Sequence, residues 1–227
     1  MQILKEENIY AKNQLKRTKR HTLFFGLMST AFFFLFLFFS NLLWLMICIL
    51  VLIGVIPFFF SYTDWRKGIK AEKIVTDTLR NLDDSYYLIN DIVLPKRHAN
   101  IDHIILGPTG IFVIETKSYG GEIKCERDDW WQDNGYIKSF SKQVKRNSTT
   151  LRRFIGKHIN KAVWVDGVVA LTDPNIKLEL KYPSVAVLRP HELCNFIRNN
   201  QSEFSLSPQK LKNLGDKILK YSKKDVN

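Results

Sequence analysis

Ile101-Asp102-His103-Ile104-Ile105-Leu106-Gly107-Pro108-Thr109-Gly110-Ile111-Phe112-Val113-Ile114-Glu115-Thr116-Lys117 consists of two apolar runs folded about a Gly-Pro-Thr-Gly turn. Pro pre-sets one turn dihedral and Gly accepts the others, so the stretch reads as a β-hairpin. A hairpin symmetric about Pro108 and Thr109 pairs Gly107 with Gly110 and, counting outward, sets Asp102 opposite Glu115. Directly opposed strand residues hold their Cβ atoms roughly 4.5–5.5 Å apart. Two carboxylates that close repel unless they share a proton or bind a cation. Lys117 lies two residues beyond Glu115 and hence on the same face of its strand. His103 points to the face opposite Asp102 and reads as a core or surface residue rather than a ligand. Two carboxylates and an ammonium on one sheet face suit metal-assisted attack on a phosphodiester.

These residues resemble the PD-(D/E)xK nuclease signature, here Asp102 with Glu115-Thr116-Lys117. More narrowly, residues 68–151 are similar to the nuclease-related domain (NERD) family. The resemblance begins at Gly68-Ile69-Lys70-Ala71-Glu72 and continues through Asn90-Asp91-Ile92-Val93-Leu94, the hairpin and Tyr119-Gly120-Gly121. It ends on a helix with the pattern Gln143-x-x-x-Asn147-x-x-x-Leu151. Two positions depart from the family pattern: Ala71 stands where a Gly commonly precedes the helix glutamate, and Ser139-Phe140-Ser141-Lys142 lacks a common Pro. Neither departure removes a chemical group. The resemblance implies a restriction-endonuclease-like fold, a metal-shell or water-positioning role for Glu72, and a Gln143 that faces the site. In the completed set Asp102 and Glu115 would hold Mg²⁺ or Mn²⁺ through hard oxygen ligands, with waters filling the octahedron. Lys117 would orient or activate the nucleophile, or stabilise the transition state. No small organic cofactor is expected.

A second feature is the apolar run from Thr22 to Tyr62, broken by Ser40-Asn41. A spanning helix needs about 20 apolar residues, so this run is too long for one span and long enough for two. Lys12, Lys16, Arg17, Lys19 and Arg20 precede it, and Arg66, Lys67 and Lys70 follow. Positive charge favours the cytoplasmic side, which both flanks satisfy only in a hairpin with an outer turn at Ser40-Asn41. A signal peptide is excluded by length, since its apolar region is about 7–15 residues. The protein is therefore expected to be integral to the membrane, with its soluble domain and both termini cytoplasmic.

The formal net charge of +12 is spread along the chain. Residues 1–60 carry six Lys or Arg against two acids, leaving 28 basic and 20 acidic residues beyond them. Between Asn134 and Val165 there are eight basic residues, Lys161 among them, and no acid. Lys142, Lys145, Arg146, Arg152 and Arg153 in this segment are the expected nucleic-acid contacts, because a basic surface beside a metal site suits a polyanion. An anionic lipid headgroup is the rival partner. The three cysteines, Cys48, Cys125 and Cys194, show no zinc or disulfide spacing and fit a reducing compartment.

The remaining pattern predicts helix 64–82, strand 86–94, the hairpin, strand 122–126 and a second hairpin turning at Asn134-Gly135. Helix 140–158, strands 162–171 and 184–188, and helices opening at Pro190 and Pro208 follow. The expected organisation is a basic arm over 1–21, a transmembrane hairpin over 22–62 and an α/β domain over 64–227. Trp130 and Trp131 point to opposite strand faces and are expected to pack. The leading expectation is a metal-dependent nuclease acting at the cytoplasmic face, on DNA in preference to RNA. The alternatives are a non-catalytic nucleic-acid tether and an anionic-lipid-binding scaffold.

Overall fold

The computed structural model describes residues 1–5, 9–39, 42–94, 100–159, 162–201 and 206–222. In chain order the elements are β1 Gln2–Lys5, α1 Ile9–Phe39, α2 Leu42–Leu79, β2 Tyr87–Val93, β3 Asn100–Gly107 and β4 Gly110–Lys117. Then come β5 Glu122–Glu126, β6 Asp129–Gln132, β7 Gly135–Ile137, α3 Phe140–Ile159 and β8 Asp166–Leu171. The last are β9 Lys177–Lys181, β10 Ala186–Leu188, α4 Pro190–Asn199 and α5 Pro208–Ser222. The chain divides into two compact units, Asn8–Lys70, and Met1–Glu7 with Ala71–Asn227.

The first unit is helical. Both helices are long and apolar enough to cross a membrane, and only 6% of each apolar window is buried within the protein. Leu27, Phe34, Phe38, Leu42 and Leu50 are exposed, as side chains meant for lipid would be. Where the helices meet, Ser29 Oγ donates to the Cys48 carbonyl at 3.3 Å, and Phe25 stacks on Phe58 with centroids 5.5 Å apart. Small and polar residues of this kind let helices approach closely where no hydrophobic drive exists between them. The turn expected at Ser40-Asn41 and the basic Lys161 lie outside the described residues.

One boundary differs from the sequence reading. The helix expected to start at Asp64 is the continuation of α2, which runs unbroken through Pro57. Between Phe58 and Lys67 there is neither Gly nor Pro, so the change from apolar to polar composition ends the apolar stretch without ending the helix. The N-terminal segment also differs from a simple basic arm: Gln2–Lys5 is a strand, parallel to β2.

The second unit is built on a six-stranded mixed sheet in the order β1-β2-β3-β4-β8-β10, accompanied by a four-stranded sheet β7-β6-β5-β9. β3 pairs antiparallel with β2 and β4, while β4 pairs parallel with β8. Each face of the large sheet is covered by helices. Ile104, Leu106, Val113 and Val169 join Val144 and Leu151 of α3 and Leu214 of α5 in one core. Ile105, Phe112, Ile114 and Val168 join Val75 and Leu79 of α2 and Leu193 and Ile197 of α4 in the other. Burial of each such side chain contributes about 1.5–3 kcal/mol, and the two-sided coverage explains why β3 and β4 are apolar at almost every position. This is the expected mixed sheet flanked by helices.

Helix α3 buries Val144, Asn147, Ser148, Leu151 and Ile155, spaced at three and four residues, while its charged positions face outward. In the small sheet Trp130 is wholly buried, its indole N–H donating to Ser141 Oγ at 2.9 Å. Trp131, on the other side of its strand, sits edge-on to Tyr136 at 5.8 Å. Strands β1 and β9 are additions to the elements expected from sequence, and β10 is shorter than the expected 184–188.

The β3–β4 turn is tied to its surroundings. Tyr86 Oη and Thr109 Oγ1 lie 3.1 Å apart, and Thr109 Oγ1 donates to the Ile197 carbonyl at 2.6 Å. A Cβ on Gly107 would run into the Tyr86 ring. Gly107→Ala is therefore expected to lower unfolding stability by about 1–3 kcal/mol, the usual cost of overpacking. Thermal denaturation of the detergent-solubilised full-length protein measures it, and an unchanged midpoint would show that the ring has room to move.

Candidate active site

The ladder between β3 and β4 pairs Gly107 with Gly110 and proceeds through Leu106–Ile111 and Ile104–Val113 to His103–Ile114. One step further the same register sets Asp102 against Glu115. The backbone pairing stops there, and the Thr116 amide instead donates to Asp102 Oδ2 at 2.8 Å. On the other side, the β2–β3 ladder skips the position of Asp91, whose φ of 54° is in the left-handed region. The Asp91 carboxylate instead accepts from Asn100 Nδ2 at 2.6 Å.

Asp102, Glu115 and Lys117 thus project on the sheet face that carries Ile104 and Val113, the face covered by α3. Glu115 is 2% exposed and richly supplied with donors. Lys117 Nζ donates to its Oε1 at 2.7 Å, Gln143 Nε2 donates to the same oxygen, and Asn147 Nδ2 reaches Oε2 at 3.3 Å. Asn147 also donates to the Asn100 carbonyl at 3.3 Å. Gln143 and Asn147 are four residues apart on α3, so one turn of helix presents both amides to the same carboxylate. Lys117 Nζ lies 5.4 Å from the centre of the Phe140 ring, a second stabilising contact for the cation.

The electrostatics separate the two carboxylates. Burial raises Asp102 well above its ordinary value of 3.8, and the charges of Glu115 and Glu72 push in the same direction. Burial also raises Glu115, but the charge and hydrogen bond of Lys117 oppose it, with help from Arg146 and Lys138. For Lys117, burial alone would lower the pKa, and the charge and hydrogen bond of Glu115 outweigh it, so the ammonium is retained. With three donors aimed at Glu115 and one at Asp102, the proton that relieves the pair in the absence of a cation belongs on Asp102.

The donor set fits a hard divalent cation. Among the described residues no cluster of three or more His, Cys, Asp or Glu side chains is close enough to cage a metal. Two carboxylates on one face are what remains. Mg²⁺ commonly binds through one or two carboxylates and completes its shell with waters and substrate oxygens. Asp102 Oδ1 takes no hydrogen bond from the described residues, and Glu115 Oε2 takes one, so each carboxylate keeps oxygen lone pairs for a ligand.

The structure places the residues expected from sequence unequally. Asp102, Glu115, Lys117 and Gln143 come together, and Glu72 lies near enough for its charge to act on Asp102. Asn147 belongs to the quoted helix pattern, which by itself assigns it no role; its spacing from Gln143 is the signal that could have found it. The five nucleic-acid contacts expected on α3 do not share one surface. Arg146 and Arg153 stand three and ten residues from Gln143, on its flank of the helix, and Lys157 continues that stripe. Lys145 and Arg152 lie on the opposite flank. Lys145 is paired with Asp128 at 2.8 Å, Arg152 sits over the Trp164 ring at 5.7 Å, and the outward-facing Lys142 pairs with Asp129 at 3.4 Å.

His103 lies beneath the site, on the other sheet face, and is 1% exposed. Burial lowers its pKa to about 3, so it is neutral at physiological pH.

A pH dependence follows from Asp102. Its folded pKa exceeds its unfolded one, so unfolding releases a proton between the two values. The stability that Asp102 contributes to the metal-free protein should fall as pH rises from about 4 toward the folded value, and be present in full below its unfolded value. In EDTA, Asp102→Asn should flatten that slope and be no less stable than the parent protein at pH 7. Buried His103, whose pKa is lowered to about 3, adds a slope of the opposite sign below its ordinary 6.5. The test is therefore the difference in denaturation midpoint between wild type and Asp102→Asn across pH. A difference that grows in favour of wild type as pH rises through about 5 would contradict it.

The nuclease-related domain family model matches residues 67–172, which contain every one of the candidate site residues. An uncharacterized protein of Bacillus anthracis is 29% identical over 141 residues, covering 59% of this chain and 57% of the relative's own length. The chain thus spans little more than half of that relative. No solved structure matches the chain.

Proposed function

Starting from a chain whose residues 67–172 form a nuclease-related domain, we propose that the protein is a membrane-anchored phosphodiesterase that cleaves DNA at the cytoplasmic face using Mg²⁺ or Mn²⁺. The observation that carries the reading is the β3–β4 ladder up to His103–Ile114, whose register one step on sets Asp102 against Glu115, with Lys117 bonded to Glu115 at 2.7 Å. Opposed carboxylates raise the cost of the folded state unless a cation compensates them, and a scaffold would have no use for that cost.

Asp102 and Glu115 would hold the divalent ion, which would supply charge neutralisation and an acidified bound water. The protein groups do the positioning. Gln143 and Asn147 fix the Glu115 carboxylate from α3, and the Thr116 amide fixes Asp102. The Lys117 ammonium, anchored by Glu115 and Phe140, offers its remaining N–H donors to a phosphate oxygen or to the attacking water. Glu72 adds negative charge beside Asp102 and is assigned to the metal's water shell. Arg146, Arg153 and Lys157 offer phosphate contacts along the Gln143 flank of α3.

The membrane reading draws on β1. Gln2–Lys5 belongs to the same sheet as β2, so the chain leaves the domain before α1 and rejoins it through α2. A membrane crossed by both helices is then crossed twice, with both flanks on one side, and the basic flanks favour the cytoplasm. A green fluorescent reporter fused after Asn227 should fluoresce in the cytoplasm, and an exported alkaline phosphatase fusion there should be inactive. The reverse pattern would overturn the topology.

The tether alternative has one observation in its favour: Glu115 already accepts three hydrogen bonds, as a purely structural carboxylate would. Two sets of variants of the full-length protein in detergent separate the readings. Lys117→Ala should keep duplex-DNA binding within a few fold and abolish Mn²⁺-dependent cleavage. Neutralising Arg146 and Arg153 should flatten the dependence of log affinity on log salt by about 0.9 for each phosphate that is no longer neutralised. The effect should exceed that of neutralising Lys145 and Arg152. Steeply salt-dependent binding without cleavage in any divalent metal would favour the tether. Failure to bind nucleic acid, with anionic liposomes bound instead, would favour the lipid scaffold.

A further inference from the structure

Beneath the site, four buried polar side chains form a continuous hydrogen-bonded row across three strands and a helix. Asn90 Nδ2 on β2 donates to Thr76 Oγ1 on α2 at 3.3 Å. Asn90 Oδ1 meets His103 Nδ1 on β3 at 2.8 Å, and His103 Nε2 meets Thr116 Oγ1 on β4 at 3.0 Å. All four residues are at most 9% exposed. The proton positions follow from the inventory of donors and acceptors. With the Asn90 amide nitrogen facing Thr76, its oxygen faces His103 and only accepts, so His103 carries its proton on Nδ1. Nε2 is then an acceptor, and the Thr116 hydroxyl donates to it.

Apolar side chains at these positions would fill the same core without needing partners, so a polar row here requires a reason beyond packing. Its far end supplies one. Thr116 lies between Glu115 and Lys117, and its own amide donates to Asp102 at 2.8 Å. A hydroxyl pinned to His103 on one sheet face orients the peptide that holds Asp102 on the other.

We propose that His103 is a positioning residue, acting through the Thr116 hydroxyl to aim the Thr116 amide at Asp102 and so to set the gap between the two carboxylates. The proposal rests on Asp102 and Glu115 being the metal-binding pair. His103 touches neither metal nor substrate. It acts as the groups behind metal ligands do, where loss of one typically costs about 10–100-fold in metal affinity.

The test uses the full-length protein in detergent. In ¹⁵N-histidine-labelled wild type at pH 7, the His103 resonances, assigned by their loss in His103→Gln, should show a protonated Nδ1 and an unprotonated Nε2. An Nε2–H tautomer or an imidazolium would overturn the relay without any variant having to fold. Amide hydrogen exchange at Thr116 should be faster in His103→Leu than in wild type, beyond any change in neighbouring β4 amides. Unaltered exchange would overturn it. In Mn²⁺ titrations, Thr116→Val and His103→Leu should each weaken binding by about 10–100-fold. The double variant should be no worse than the weaker single one, and His103→Gln, which keeps one donor and one acceptor, should recover affinity to within a few fold. Additive losses, or full affinity in the folded single variants, would refute the positioning role. If the wild type takes up no Mn²⁺, the metal-site reading fails, and the tautomer and exchange measurements still decide the relay.

Discussion

Two carboxylates set against each other across adjacent strands, Glu115 buried and Asp102 half-buried, repel each other, and the arrangement around them answers that repulsion. Lys117, Gln143 and Asn147 all donate to Glu115, holding it as the anion. Asp102 is left with one backbone donor and a strongly raised pKa. Without a cation the pair is relieved by a proton on Asp102. A cation held by both carboxylates would take the place of that proton. The architecture serves this junction. The apolar register of β3 and β4 brings the two side chains to one face, α3 covers that face with amides as well as apolar groups, and the tethered turn at Gly107 to Gly110 keeps the register from slipping.

The site is supported from both sides of the sheet. On the α3 side, Asn147 joins Glu115 to the Asn100 carbonyl, and Asn100 in turn holds Asp91. On the opposite side, the row from Thr76 to Thr116 ends at the residue between Glu115 and Lys117. Buried polar groups are costly unless satisfied, and here the satisfied ones concentrate around one pair of carboxylates. The basic surface is less concentrated. The phase of α3 sends Lys145 and Arg152 away from Glu115 and leaves Arg146, Arg153 and Lys157 on the flank that leads toward it.

The parts of this structure that are legible in the sequence rest on local signals. The turn at Pro108-Thr109 and the alternation around it are enough to place Asp102 against Glu115, and the observed ladder runs in that register. The hairpin after Trp131 and the apolar period of α3 are equally readable, although the turn residues are Asp133 and Asn134, with φ of 46° and 69°, one position before the expected Asn134-Gly135. What escapes depends on partners distant in sequence. Four residues of β1 carry no strand signal of their own and gain it from pairing parallel with β2. β9 likewise becomes a strand through parallel pairing with β5. The continuity of α2 escapes because a shift from apolar to polar residues mimics a boundary, although helix propensity is indifferent to it. The division of the basic residues between two flanks of α3 is available from helical phase, whereas the pairing of Lys145 with Asp128 and of Lys142 with Asp129 requires the fold.

Whether Asp102 and Glu115 share a cation is decided most directly by locating one. Crystals of the full-length protein grown with Mn²⁺ and measured at the manganese edge should show one ion between the two carboxylates. Its oxygens should lie near the distance of about 2.1 Å typical of small hard divalent ions, with waters completing its shell and Thr116 still bonded to Asp102. An ion bound elsewhere, or no ion and a proton shared between Asp102 and Glu115 at saturating Mn²⁺, would contradict the account.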